Sequence, residues 1–513
     1  MSVPPDVTQY RISSPELARL IRAGQHGRAV EVALQRLTDG QQRLQGAITN
    51  PRRATKAASL LSDLGCVLGE SGQLPSAVKA LHEASSIAPQ SADCFHNMVV
   101  LLLQHGQLRS KNFDAILARL KQVGDAQEWT KQYRHLTWMP KFLNLEFVKG
   151  KCNLKCRMCI GTNAAGHPNT LTYMTPEDFR RTLEVAPTIS GVTLSSGDSD
   201  PLLHPKLDEV IGIALEHNIR LDIYTNGLPL GERMCRRIVE SQAVTMINFS
   251  IDAATAETYQ RIRGGNFERL HKNLSMFRRM KAEHAGTHPA LSFSFVAMAD
   301  NIEELPAFVE MGRRFGAARV FVEDLLGWLK ESGGNYPATD NPRCYESVRE
   351  AMRLAEETDI WLQLPERLCN LKPPTSRSRA TVPTTVHKNE QPAVDVGVLD
   401  VVQVEEPVGK RYRCCSWING VWVSENGDLQ PCCMLTGVAD MGNTSDGPLH
   451  QNEKYNRVKS LLAEGKVFRQ CTGKTMCSFV QQQKARGREF RIITSDELGD
   501  LDPTRVSLPV LSL

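Results

Sequence analysis

Three cysteines stand close together in the segment Lys151 to Asn163, KCNLKCRMCIGTN: Cys152, Cys156 and Cys159, spaced Cys-x3-Cys-x2-Cys. Thiolates on so short a loop can each take a different iron of a [4Fe–4S] cube, leaving the fourth iron open to a small chelating molecule. Amide N–H groups of the loop offset the cluster's negative charge. A structural zinc wants four closed ligands, and no fourth Cys or His follows at finger spacing; His167 is the nearest candidate. A disulfide with a spare thiol fits poorly where no secretory signal is visible. An open iron–sulfur cube, a zinc site and unligated thiols are therefore the readings, in that order of preference.

A second group of six cysteines lies between Cys414 and Cys477. Cys415 and Cys432 flank an Asn-Gly-Asp turn at Gly427, which reads as a hairpin between two short strands. Cys471 and Cys477 follow on a later loop. Two cysteines on a hairpin and two on a loop can close around a cluster or a zinc ion. Cys414 and Cys433 double the first two positions, so the ligand is open by one residue at each. Cys66, Cys94, Cys235, Cys344 and Cys369 are scattered and read as plain thiols.

The chain of 513 residues has room for two to four domains. Its apolar content of 41% and charged content of 23% are those of an ordinary globular protein. A net charge of +4 gives no argument for nucleic acid, and the basic patch Lys484 to Arg491 reads as a solvated helix or tail. The longest apolar runs, such as Val99 to Leu103, are far too short to cross a membrane. Met1 to Tyr10 carries no export pattern, so clustered cysteines point to metal in a cytoplasmic protein.

The elements that must position these residues fall into blocks. Residues 13–125 read as helices. Leu61, Leu64, Gly65, Leu68, Gly72, Ala77, Leu81, Ala84 and Pro89 fit the spacing of a tetratricopeptide repeat, and Gly-Gln recurs at Gly24, Gly72 and Gly106. About three helical hairpins are expected, either offering a concave surface to a peptide or protein or merely covering the next domain. From Phe142 to about residue 365 strand and helix signals alternate, as in βα units around a parallel sheet. Six strands are expected: Phe142–Val148, Gly191–Ser195, Arg220–Tyr224, Met246–Ile251, Leu291–Val296 and Arg319–Val322. Helices are expected from Thr175-Pro176, from Leu207 to about His217, and from near Thr255. Chemistry in such folds gathers where strands end. Residues 371–410, rich in proline and polar groups, read as a flexible linker.

The cysteine loop resembles that of the radical S-adenosylmethionine (SAM) enzymes, with Met158 where an aromatic residue is usual. The strand-end segments carry the resemblance further. Ser195 to Pro201 stands where the family has a Gly-Gly-Glu-Pro-like turn, with Asp200 in the Glu place. Thr225-Asn226-Gly227 follows the third strand. Ser250-Ile251-Asp252 with Tyr259 and Arg261-Ile262-Arg263-Gly264 is similar to the family's fourth-strand segment. The resemblance covers residues 142 to about 480. It implies an α/β fold, a (β/α)6 partial TIM barrel whose cluster binds SAM. Reduction then cleaves SAM to methionine and a 5′-deoxyadenosyl radical, with an electron donor such as flavodoxin or ferredoxin. The implied SAM-facing residues are Asp200 toward the amino group, Asn226, Ser250 toward the ribose or carboxylate, Asp252 on the same face of the strand as Ser250, and Arg263 toward the carboxylate. Val322-Glu323-Asp324 falls where the family meets adenine.

The second cysteine group resembles the auxiliary-cluster module called SPASM, or its shorter form, twitch; Trp417, Pro431 and Gly442-Asn443 fit it too. The resemblance implies one auxiliary [4Fe–4S] cluster on Cys415, Cys432, Cys471 and Cys477. The expected organisation is a helical-repeat domain at 13–125, a radical SAM core at 142–365, the linker, a cluster domain at 411–480 and a tail at 481–513. Four ligands favour a closed, electron-transferring cluster and so an oxidation or cross-link. The substrate is read as a peptide or protein residue, with a small molecule such as a sugar or aminocyclitol as the alternative. A non-catalytic iron–sulfur scaffold is the reading from another class.

Overall fold

The computed structural model describes residues 9–44, 51–104, 111–159, 170–284, 288–325, 342–371, 420–432, 439–464, 466–468, 471 and 491–493. His167, the linker from residue 372 onward, Trp417, Cys414, Cys415, Cys433, Cys477 and most of the tail lie outside them. The chain forms two compact units, one reaching to Met139 and one built from Pro140 onward apart from a three-residue stretch, Ala186–Thr188.

The first unit is helical: α1 Pro15–Arg22, α2 His26–Leu44, α3 Pro51–Glu70, α4 Leu74–Ile87, α5 Ala92–Gln104 and α6 Lys111–Val123. Each boundary has a local cause. The Ser14 hydroxyl accepts from Leu17 N–H to cap α1, Gly72 takes φ +77 between α3 and α4, and Pro89 follows the end of α4. Small residues let α3 and α4 approach: a Cβ on Gly65 would lie 2.6 Å from Leu81 Cγ. Leu64, Val67, Ala77 and Leu81 bury there with Leu17 and Ala33. A second cluster, on Val99, Phe113, Leu117 and Tyr133, closes the unit's other end.

The second unit is organised by a nine-stranded sheet. Its strands are β1 Phe142–Glu146, β4 Gly191–Ser195, β5 Arg220–Thr225, β6 Val244–Ser250, β7 Ala290–Ala297, β8 Arg319–Asp324, β9 Trp361–Gln363, β10 Gly420–Val423 and β11 Leu429–Gln430. Two short strands, β2 Val148–Gly150 and β3 Leu171–Tyr173, pair separately and antiparallel. The spatial order is β11-β10-β1-β4-β5-β6-β7-β8-β9, parallel throughout except where β11 folds back on β10. All six expected strands are present within one to two residues at each end. The late hairpin, which the sequence reading set apart with the second cysteine group, extends this sheet: β10 pairs with β1 through Phe142↔Gly420 to Leu145↔Val423.

Between the strands run α7 Pro176–Val185, α8 Leu207–Glu216, α9 Glu232–Glu240, α10 Ala256–Arg263, α11 Phe267–His284, α12 Leu305–Phe315 and α13 Pro342–Thr358. Their starts follow capping chemistry. Thr175 Oγ1 accepts from Asp178 N–H at 3.1 Å ahead of Pro176, and Thr255 caps α10. The pleat then sorts the strands' side chains. Leu194, Ile223, Phe249, Phe293 and Val320 are fully buried, and Phe249 and Phe293 meet Phe277 of α11 and Phe308 of α12. The alternate positions are polar. Adjacent strands place Asn144 beside Thr193 beside Asp222, Tyr224 beside Asn248 beside Ser292, and Ser250 beside Ser294. One face of the sheet is therefore an apolar seam and the other a polar floor.

Candidate functional site

Cys152, Cys156 and Cys159 follow β2, at the end of the sheet where the parallel strands finish. Cys156 is buried, and the other two are half-buried. Four contacts fix the loop that carries them. Cys159 N–H donates to Cys156 O (3.1 Å), closing a tight turn. Arg157 N–H donates to Ile262 O at the end of α10 (3.0 Å), and Arg157 Nη2 pairs with Asp300 (2.6 Å). Asn153 and Asn226 exchange side-chain amides: Asn226 Nδ2 donates to Asn153 Oδ1 at 2.9 Å, and Asn153 Nδ2 to Asn226 Oδ1 at 3.2 Å. The cysteine loop is thus tied to the ends of β5 and α10.

The donors at this loop suit sulfur anions. Leu154 N–H points at Cys152 Sγ (3.5 Å), and Arg263 Nη1 lies 3.8 Å from Cys156 Sγ. Burial pushes the Cys152 thiol up to about 11 and raises Cys156, opposed there by the Arg263 charge. Left to themselves these sulfurs hold their protons; bound to iron they would be thiolates neutralised by the metal. Among the described residues no three His, Cys, Asp or Glu side chains gather closely enough to hold one metal ion. One buried and two half-buried thiols, with N–H donors aimed at Cys152 and Cys156, fit an iron–sulfur cluster.

Asp200 is fully enclosed, and its carboxylate is already committed. Oδ1 accepts from Leu202 N–H (2.9 Å) and Thr225 Oγ1 (2.8 Å), and Oδ2 accepts from Asn226 N–H (2.7 Å). It fastens the turn after β4 to the Thr225-Asn226-Gly227 turn after β5. Burial raises its pKa to about 6 against those hydrogen bonds. Gly227 there has φ +78, and a Cβ would meet the Phe249 ring at 2.5 Å, so only glycine fits.

Ser250 and Asp252 were expected to point the same way along one strand, and here the structure differs. β6 stops at Ser250, and Asp252 takes φ +64, which breaks the period of two. Asn301 pins that turn, its Nδ2 donating to Asp252 O and Val296 O, both at 2.9 Å. Asp252 Oδ1 accepts from Val296 N–H (2.7 Å), and Oδ2 takes the Arg263 Nε at 2.7 Å and Nη2 at 2.5 Å. Ser250 remains at the floor, accepting from Ser294 Oγ (3.2 Å). Nearby Asn248 Oδ1 is buried without a partner. Glu323 is the fifth residue of β8, and enclosure of its carboxyl and the nearby Asp252 charge raise its pKa to about 7.

The sequence reading missed Asn153 and the clasp it forms, and it gave Asn301 no role. An asparagine inside a cysteine loop and a Thr-Asn-Gly turn were both visible, but nothing local says that they meet. Of the second cysteine group, Cys432 and Cys471 are described and half-buried; Cys415 and Cys477 lie outside the described residues. Gly427 forms the expected turn with φ +86.

The family model of the Radical SAM superfamily matches residues 148–309. Among curated proteins, a probable GTP 3′,8-cyclase of Methanocaldococcus jannaschii is 28% identical over 179 residues, covering 34% of this chain and 56% of that protein. The mycofactocin maturase MftC of Mycobacterium ulcerans is 27% identical over 191 residues, covering 36% of this chain and 48% of that protein. The chain thus spans about half the length of these curated relatives. In fold, the crystal structure of Streptococcus suis SuiB is similar with a TM-score of 0.50 and 15% identity, covering 78% of this chain and 84% of SuiB. The cysteine loop and the ends of β4, β5 and β6 described above all lie within residues 148–309, the stretch that matches the Radical SAM superfamily model.

Proposed function

We propose that this protein is a radical SAM enzyme that takes hydrogen from a residue of a peptide or protein in an oxidative modification or cross-link. The observation that carries the reading is the cysteine loop itself, three thiols pinned to the ends of β5 and α10 with Leu154 N–H and Arg263 aimed at their sulfurs. When bound, the [4Fe–4S] cluster and SAM would supply a 5′-deoxyadenosyl radical.

The chain's own residues divide the remaining work. Cys152, Cys156 and Cys159 hold the cluster. Asn226, Ser250 and Arg263 face SAM, while Asp200 and Asp252 act through the groups they hold. Asp200 sets the Asn226 amide, and Asp252 aims the Arg263 guanidinium. The polar floor of a partial barrel excludes bulk water and positions the substrate carbon. Cys415, Cys432, Cys471 and Cys477 are proposed to hold one auxiliary [4Fe–4S] cluster, which when bound would supply an electron acceptor. A flavodoxin or ferredoxin supplies the reducing electron.

A peptide substrate is favoured by the helical first unit, read as tetratricopeptide-like hairpins. It contains a cavity of about 360 Å³ lined by Leu81, His82, Phe95, Met98 and Ile116, suited to apolar side chains of a peptide. The relative named a maturase points the same way.

The test is anaerobic. The protein is reconstituted with iron and sulfide, reduced with dithionite and given SAM, and 5′-deoxyadenosine is quantified beside a variant with Cys152, Cys156 and Cys159 all replaced by alanine. Cleavage in the unsubstituted protein alone is expected. Absence of iron from the loop of the reconstituted protein overturns the reading.

A further inference from the structure

We propose that Glu146 and Glu425 hold a positively charged group of the substrate, the ammonium or guanidinium of a Lys or Arg side chain, beside the cysteine loop. The inference rests on the radical-enzyme reading for what becomes of that substrate, but not for its binding.

Glu146 ends β1 on the polar face of the sheet, and Glu425 follows β10, the strand paired with β1. The pairing runs as far as Leu145↔Val423, one residue before Glu146 and two before Glu425, and the charges of Glu425 and Asp198 both oppose ionisation of Glu146. One cation answers them: Lys149 Nζ stands 4.0 Å from Glu146 Oε2. Asp198 spends one oxygen on Gly150 N–H (3.0 Å). The described charges at this point are therefore three carboxylates, Glu146, Glu425 and Asp198, against one ammonium.

Glu425 supplies the independent sign of a ligand. The residue is only 7% exposed, and its Oε2 has no hydrogen-bond partner, while Oε1 takes Asn426 Nδ2 at 3.1 Å. A buried carboxylate oxygen without a donor is costly and asks for one. The carboxylate is not loosely held, because the turn beneath it is closed by Gly427 N–H to Ser424 O and by Asn426 N–H to Ser424 Oγ.

Position gives the site its meaning. A Cβ built on Gly197 would stand 3.5 Å from Glu146 Oε1, and Cys159 Sγ is 3.5 Å from Gly197 O. One glycine separates Glu146 from the cysteine loop. A metal ion is the poorer occupant, since no three described acidic, His or Cys side chains gather closely enough to hold one. An organic cation bridges carboxylates that stand further apart, and a guanidinium fork suits two of them.

The experiment is equilibrium dialysis of the full-length, anaerobically reconstituted protein against three probes: N-acetyl-lysine N-methylamide, N-acetylarginine N-methylamide and the uncharged N-acetylnorleucine N-methylamide. At least one cationic probe should bind about tenfold more tightly than the norleucine probe, and less so at high salt. Glu425→Gln should bring the preference to within about twofold, and Glu425→Asp should keep part of it. Should Glu425→Gln fail to fold, Glu146→Gln must show the same loss. Equal binding of all three probes, or a preference that survives both glutamine variants, overturns the proposal. So does displacement of the lysine probe by SAM, which would assign the acids to SAM. Because binding needs no turnover, 5′-deoxyadenosine formation on the same samples tests the radical reading separately.

Discussion

Arg263 meets Asp252 through two nitrogens on a single oxygen, Nε at 2.7 Å and Nη2 at 2.5 Å from Oδ2, and this leaves Nη1 alone to face Cys156 Sγ at 3.8 Å. Both partners are buried, and Asp252 sits in a left-handed turn that few residues adopt without help. The pair aims a permanent positive charge at a cysteine sulfur, with Asp252 fixing the direction.

Removing the cation from this pair leaves a buried carboxylate uncompensated. Arg263→Met should lower stability by about 3–5 kcal/mol, and more than Asp252→Asn with Arg263 intact. Urea unfolding of the reconstituted protein checks the order. Equal, small losses in the two variants would mean that the pair is not the electrostatic unit its geometry describes.

The clasp between Asn153 and Asn226 should act as a unit. Asn153→Ala and Asn226→Ala are each expected to cost about 1–2 kcal/mol, with the double variant costing clearly less than the sum. Iron retained after gel filtration should fall in all three, because the clasp holds the cysteine loop to β5. Strict additivity would show that the two amides do not work together.

Asp222, inside the sheet beside Thr245, has its pKa raised by burial to about 6. Folded, it binds more proton than the unfolded chain between its ordinary value and that one. Its contribution is therefore intact at low pH and lost as pH rises from about 4 through about 6. Asp222→Asn should gain stability relative to the unsubstituted protein across that window, by about 2–3 kcal/mol at pH 7, with little difference at pH 4. Chemical unfolding at both values reads the difference; an unchanged difference removes the buried-acid account.

Two glycines of the helical unit should respond in opposite directions to alanine. At Gly65 the new methyl would press on Leu81, so Gly65→Ala should cost about 1–3 kcal/mol. At Gly27, in α2, nothing lies within 4 Å, and Gly27→Ala should gain up to about 1 kcal/mol from helix propensity. Thermal melts of the two variants provide the comparison.

What could be read in the sequence was what depends on near neighbours. Thr175-Pro176 announced a helix and Gly427 a hairpin, because each is decided within a few residues. What could not be read depends on partners brought together by the sheet. Asn153 meets Asn226 across 73 positions. Asp252 looked like the next inward residue after Ser250 because a period of two assumes that the strand goes on. The left-handed turn that ends it is held by Asn301, 49 positions away. Asp200 was chosen as a carboxylate for a ligand, and no local pattern reveals that three donors of the chain already occupy it.

The pairing of β1 with β10 sets a timetable for the growing chain. As synthesis proceeds, β1 acquires β4 on one side early, but its other edge stays unpaired until residue 423 has left the ribosome. Closing that gap of nearly 280 residues comes late and slowly, as long-range strand pairings do. Until then the segment leading into Cys152 borders an open sheet edge, and Glu146 has no Glu425 beside it. Iron and sulfide delivered during synthesis would meet the cysteine loop before the late hairpin arrives to cover this side of the sheet.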